Sequence, residues 1–189
     1  VGDKLANYYS FKPADYIQGS HNVLLNTAYL YAGAQGQYKK YLEWDAFGKY
    51  SFLGYEVNDF NINANAVFKA YPFRKDRQSP LELRAHFETS LKEPDYYQQH
   101  LFTNHYKWDN DFGKISTTKV EASLSVPRWK LAASFGYALL SNNIYYDTLG
   151  IARQNTKPMS VMTASLRKDF QLWKFHFDHR LLFQLSSDK

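Results

Sequence analysis

The chain has 189 residues, a formal net charge of +5 and no cysteine, so disulfide frameworks and thiolate metal centres are excluded. Lys and Arg interleave with Asp and Glu along its whole length, leaving no basic stripe of the kind a nucleic-acid-binding face requires. Aromatic residues make 18% of the sequence although mean hydropathy is only −0.55, and no apolar run approaches the roughly 20 residues of a membrane helix.

Residues 1–20 show no clear period and are predicted to form an irregular N-terminal stretch. They hold no basic-then-apolar leader, and no Met initiates the chain. It therefore reads either as a chain whose signal has been removed or as an excerpt from something longer. No linker or composition shift divides it, which predicts one domain over 1–189.

From there a two-residue alternation dominates, placing odd and even residues on opposite faces of a strand. A weaker strand is predicted over 22–32. The next runs from Leu42, with Leu42, Trp44, Ala46, Tyr50 and Phe52 alternating with Glu43, Asp45, Lys49 and Ser51. A third sets Phe60, Ile62, Ala64 and Phe68 against Asn61, Asn63, Asn65 and Lys69. A fourth sets Leu81, Leu83, Ala85 and Phe87 against Glu82, Arg84, His86 and Glu88. Another weak strand is predicted over 101–109. Val120, Ala122 and Leu124 then oppose Lys119, Glu121 and Ser123; beyond Pro127, Trp129, Leu131, Ala133, Phe135 and Tyr137 oppose Lys130 and Ser134. A weak strand over 158–166 precedes the last, in which Trp173, Phe175, Phe177 and Leu181 oppose Lys174, His176, Asp178 and Arg180, with His179 interrupting the apolar side. That makes about nine strands and no amphipathic helix.

The connections alternate as well. Short ones are predicted at 53–57, 93–96, 127–128 and 167–170, and longer or more polar ones at 33–37, 71–79, 110–117 and 141–157. Tight turns on one side and longer loops on the other are the habit of membrane barrels. The strands run well beyond the 5–6 residues common in soluble sheets and suit a tilted crossing of about 9–11 residues. The expected fold is all-β: an antiparallel up-and-down transmembrane β-barrel of about nine visible strands, part of a larger barrel. A soluble barrel or sandwich, apolar inside, is the competing architecture. Against it, Trp44, Tyr50, Phe52, Phe60, Trp129, Tyr137, Trp173 and Phe175 gather near strand ends, as interface girdles would.

Under this reading Leu42, Trp44, Phe60, Ile62, Phe68, Leu81, Leu83, Phe87, Val120, Leu124, Trp129, Leu131, Phe135, Trp173, Phe175 and Phe177 face lipid. Glu43, Asp45, Lys49, Asn61, Asn63, Asn65, Lys69, Glu82, Arg84, His86, Glu88, Lys119, Glu121, Lys130, Lys174, His176, Asp178 and Arg180 face the lumen. Mixed signs along that wall argue against strong ion selectivity.

The stretch Tyr38-Lys39-Lys40-Tyr41-Leu42-Glu43-Trp44-Asp45, with the Gly48-Lys49-Tyr50 that follows, and the stretch from His105 to Phe112 carry a resemblance. The chain resembles the putative porin family of Bacteroides-type outer membranes over essentially its whole length. The resemblance implies an outer-membrane barrel larger than this chain, in a Gram-negative bacterium, with no catalytic residues to carry over. Two features depart from it. The chain stops at Ser186-Ser187-Asp188-Lys189 instead of a terminal aromatic, and nine strands is odd where bacterial single-chain barrels are even.

Catalytic constellations are weak. His176 and His179, like His100 and His105, are spaced to fall on opposite strand faces, so neither pair builds a metal site alone. The stretch 109–113 has oxygen ligands and a glycine but no distal bidentate Glu, and reads as an Asx-capped turn. Glu82 and Glu88 would stand roughly 20 Å apart along a strand, too far for glycosidase carboxylates. His86 and Glu88 could make part of an acid–base site, yet no nucleophile elbow accompanies them. The expected function is passive diffusion of small polar solutes through an outer-membrane porin. It needs no catalytic residue, metal or cofactor; its partners are outer-membrane lipid and, in a surface complex, other subunits. The alternatives are a structural or binding barrel with no open pore, and a barrel-embedded hydrolase using His86 and Glu88.

Overall fold

A computed structural model describes residues 1–10, 21–72, 79–103 and 105–187 of the protein. Its strands are β1 (Gly2–Ser10), β2 (His21–Tyr38), β3 (Leu42–Gly54), β4 (Phe60–Ala70) and β5 (Leu81–Lys92). After a helical turn α1 (Tyr96–Gln99) come β6 (His100–Phe102) and β7 (Lys107–Asp109). Then follow β8 (Ile115–Val126), β9 (Leu131–Ser141), β10 (Asn143–Tyr146), β11 (Ala152–Asn155), β12 (Met159–Leu172) and β13 (Phe175–Ser186).

Nine of these strands form one antiparallel sheet in the order β1-β2-β3-β4-β5-β8-β9-β12-β13, each beside its predecessor, with β1 and β13 as open edges. The all-β, up-and-down expectation holds, and so does the count of nine. Its membership does not. Residues 101–109 are not in the wall: β6 and β7 pair only with each other, Leu101 opposite Trp108, as a hairpin inside a long loop. Their alternation is real, but Trp108 is buried within the loop and its Nε1 donates to the Tyr97 carbonyl at 3.1 Å. The ninth strand is instead β1, within the stretch expected to be irregular. Its ladder pairs Gly2 with Tyr29 through Tyr9 with Asn22, and Lys4 reaches Glu56 at 2.5 Å. Neighbours, not a period of its own, hold it there. The rest of that stretch, 11–20, lies outside the described residues.

Three expected connections also move. Residues 33–37 lie inside β2, because their glycines make room for aromatics across the ladder: Gly36 faces Trp44, whose ring would stand 2.7 Å from a Cβ at that position. The turn is 39–41. Residues 167–170 lie inside β12, where polar side chains that suggested a turn form cross-strand pairs, Arg167 meeting Asp178 at 3.1 Å. The turn is Trp173 and Lys174, closed by the Leu172–Phe175 pair, with Trp173 in the left-handed region at φ 55. Finally, 93–96 opens a connection that runs to 114. Residues 73–78, within the predicted loop 71–79, lie outside the described residues.

In a meander successive connections alternate ends. Of the described connections, one end carries 39–41, 127–130 and 173–174; the other carries 55–59, 93–114 and 142–158. The two longest described loops share an end, the loop end, and three very short turns share the opposite one. A bulge in β3 passes over Phe52, so that Ala28 pairs with Leu53 but Tyr29 with Ser51. It ends at Gly54, where φ is 93 and any side chain would strike the Asn26 carbonyl.

Among the described residues no packed layer covers this sheet, and the buried apolar side chains are Pro94, Tyr96, Trp108, Val126 and Ala152. Hydrogen exchange tests the reassignment of the hairpin. Amides paired between β5 and β8 are expected to exchange slowly, and those of β6 and β7 quickly, as three-residue ladders open locally. Equal protection of both would return 101–109 to the wall.

Candidate functional site

The ladder registers fix which side chains share a face. One row runs Asp45, Asn65, His86, Glu121, Gly136, Thr163 across six neighbouring strands, and the row beside it runs Phe47, Asn63, Glu88, Lys119. By the same registers Glu43, Lys49, Asn61, Lys69, Glu82, Arg84, His176, Asp178 and Arg180 join this polar face. Lys130 and Lys174 do not: Lys130 is the left-handed residue ending a 3-10 turn, and Lys174 lies in the hairpin turn, because both sit where the chain reverses. Leu42, Trp44, Phe60, Ile62, Phe68, Leu81, Leu83, Phe87, Val120, Leu124, Leu131, Phe135, Phe175 and Phe177 share the opposite, apolar face. Trp129 and Trp173 belong to the turns at its edge.

The apolar face stays uncovered: Leu83 is 46%, Phe68 48% and Phe135 49% exposed. The polar face is knitted by contacts of mixed sign. Lys69 meets Glu43 at 2.6 Å, Arg84 meets Glu82 at 2.8 Å and Lys119 meets Glu121 at 3.0 Å. Asn65 donates to Asp45 at 2.7 Å, and its carbonyl oxygen lies 2.6 Å from His86 Nδ1. A groove of about 480 Å³ is lined by residues of β4, β5, β8, β9 and β12, including Asn65, His86, Glu121 and Thr163.

The predicted chemistry does not assemble. His86 Nε2 lies 3.9 Å from Glu88, and its tighter contact is to Asn65. His179 meets the stacked Phe170 and Phe177 rings at 5.1 and 6.1 Å on the face opposite His176. In the 109–113 stretch Asp109 pairs with His100, and the Asn110 amide donates to the Ala152 carbonyl. Among the described residues no three His, Asp or Glu side chains stand close enough to share a metal ion.

Residues 3–189 match the family model described as Putative porin. The chain belongs to the putative porin family. No curated protein and no solved structure matches it. The polar wall of this porin-family chain carries the candidate site.

Its loop end holds a cluster that the alternation could not show. Lys114 bridges Asp59 and Glu93, the latter at 3.0 Å, while the Glu93 N–H donates to both Asp59 oxygens at 2.8 and 2.9 Å. Gln99 donates to Glu93 at 2.8 Å and to the Tyr55 hydroxyl at 3.0 Å. Burial pushes the Tyr55 phenol up to about 12 and lifts the Asp59 carboxyl above its usual range despite the Lys114 ammonium. Burial would lower Lys114, but its hydrogen bonds to Asp59 and Glu93 more than reverse that. The loop then reaches across to the first strand, where Tyr8 packs on Tyr96 and Tyr97 at 4.8 and 5.2 Å. The second long loop is tied on by Gln154, bonded both ways to Gly113 at 2.9 and 2.6 Å. Tyr8 lies on the polar face, so the first of these loops packs against that side of the sheet. One signal was present in the sequence: Asp95 and Gln98 form a capping box, which marks a helical turn.

Lys114→Ala leaves Asp59 and Glu93 facing each other, and is expected to cost about 1–3 kcal/mol of local loop stability, seen as faster protease cleavage between 93 and 114. The raised Lys114 favours the folded loop below its unfolded value and ceases to as pH climbs through its folded value, so wild-type cleavage rises above about pH 10.5. The raised Asp59 adds stability as pH falls, so mild acid does not free the loop through this carboxyl. Cleavage that is flat above pH 10, or unchanged in the variant, would contradict the anchor.

Proposed function

We propose that the chain forms the wall of an outer-membrane barrel whose apolar face meets lipid hydrocarbon and whose polar face lines a water-filled passage. Small polar solutes cross it by passive diffusion. The observation that carries this reading is the pair of unlike faces, with nothing packed on the apolar one. In water each exposed Leu or Phe forgoes about 1.5–3 kcal/mol of burial, and this face repeats that loss across nine strands. Hydrocarbon removes it.

Several features support the membrane setting. No helix of the described residues is long and apolar enough to cross, which leaves crossing by strands open. The wall strands run from 9 residues in β1 to 18 in β2, enough for tilted spans. Tyr50 and Phe60, directly paired, stand toward the loop end, whereas Trp129, Trp173 and Phe175 stand at the turn end, as two interface girdles would. Long loops on one side and tight turns on the other suit an outside and a periplasmic face. In hydrocarbon β1 and β13 both need partners for their edges. With nine strands those edges run in the same direction, so a fully antiparallel closure calls for at least one further strand.

The wall chemistry favours a channel over an enzyme or a sealed scaffold, since the charges neutralise one another and the groove is open. Family membership supports the same choice. Outer-membrane lipid is the partner this requires.

Reconstituted in planar bilayers, the protein is expected to give ohmic conductance with weak ion selectivity. A folded, inserted protein that passes no current would refute the channel. Ala64→Arg, at the middle of β4 on the apolar face, is expected to lose about 2–4 kcal/mol of folding in lipid. Unchanged folding would refute the lipid contact.

A further inference from the structure

The polar face carries aromatic rings where a purely aqueous wall would not need them. Tyr29, Tyr31 and Phe47 lie on it by register: Tyr29 faces Ser51, Tyr31 faces Lys49, and Phe47 faces Gly33 on one side and Asn63 on the other. The ring centroids follow one another at 6.3 and 6.2 Å. Tyr31 is 55% and Phe47 42% exposed, and Gly33 adds no side chain beside the Phe47 ring. Phenylalanine has nothing to offer water. A ring displayed there is complementary to an apolar surface on a solute.

Along this ring run stands a ladder of amides on β4. Asn63 donates to Asn61, Asn61 to Glu88 at 3.4 Å, and Asn65 to Asp45 at 2.7 Å. Each amide has two donors and an acceptor with two lone pairs, so the one or two bonds that each makes here leave capacity for a solute. The charges nearby are already engaged, Lys49 over the Tyr29 ring at 4.2 Å and Asp45 with Asn65. This setting selects a neutral molecule that is apolar on its flat faces and rich in hydroxyls at its edges. Pyranose rings have that form: axial C–H groups stack on aromatic faces while vicinal hydroxyls pair with amides and carboxylates.

We propose that Tyr29, Tyr31 and Phe47, with Asn61, Asn63 and Asn65, form a track that binds neutral oligosaccharides along the wall. This rests on the polar face being the solute path. The exposed Tyr31 and Phe47 rings hold successive sugar faces, Tyr29 under Lys49 backs the end of the run, and the amides orient the hydroxyl edges.

The test measures interruption of the current through the protein in planar bilayers by linear α- and β-linked glucohexaoses, with titration calorimetry of the same sugars on the protein in detergent micelles. Wild type is expected to show concentration-dependent block by at least one of them. Tyr31→Ala/Phe47→Ala is expected to raise the half-blocking concentration about tenfold without lowering open conductance, and Phe47→Trp to retain block. Circular dichroism of each variant verifies its strand content, and for a variant that misfolds Asn63→Ala stands in, with several-fold weaker block expected. An open channel that neither sugar interrupts overturns the track, as does block indifferent to these substitutions. A protein that conducts nothing refutes the channel alone. Calorimetric binding lost in the double variant then supports the track, and absence of binding overturns it.

Discussion

The structure depends on one constraint: each strand has two sides that must face unlike surroundings, and the backbone between them must be satisfied by the next strand. Two-residue alternation supplies the first condition and an antiparallel meander the second. Because the ladder keeps rows aligned, a single strand's pattern becomes a property of the sheet. Asp45, Asn65, His86 and Glu121 come into one row although they are spread over nearly 80 positions of sequence. A one-residue slip anywhere would carry charge to the apolar side. The apolar set therefore acts as a register device as much as a contact surface, with Phe68 opposite both Leu42 and Leu83 and Phe135 opposite both Ala122 and Ala164.

How far the sequence could be read follows from that. Where both faces are populated by strongly unlike residues, as over 42–50, 60–70 and 81–92, the faces read from residue types are those the ladder produces. Where alternation was borrowed or absent, the reading failed. Residues 101–109 alternate because a local hairpin also has two sides, and 2–10 lack a pattern because Lys4 and Tyr8 answer to Glu56 and Tyr96, which lie far off in sequence. Lys130, Lys174, Trp129 and Trp173 keep the period by eye while standing in turns. Glycine misled at 33–37: residues suited to a turn were needed opposite the Trp44 and Phe47 rings.

The candidate site divides in the same manner. Its wall was legible, since it is one side of the alternation. The loop-end cluster of Asp59, Glu93, Lys114, Gln99 and Tyr55 was not, because its members come from two connections and meet only after the sheet has formed. Such a cluster answers the problem of long loops over a wide face: without tight anchors they would lose chain entropy for few contacts. Here the anchors are buried charge and amide groups, whose satisfaction fixes where the loops lie at the loop end.

The central claim is that adjacent residues on a strand meet different solvents. Nitroxide labels placed on Ala64→Cys and on Asn65→Cys, one at a time, report this directly in bilayers through collisions with dissolved oxygen and with a water-soluble nickel complex. The account requires the label at 64 to collide mainly with oxygen and the label at 65 mainly with nickel. Reversed preferences, or a label at 64 shielded from both reagents, would place the apolar face in a dry protein interior and contradict it.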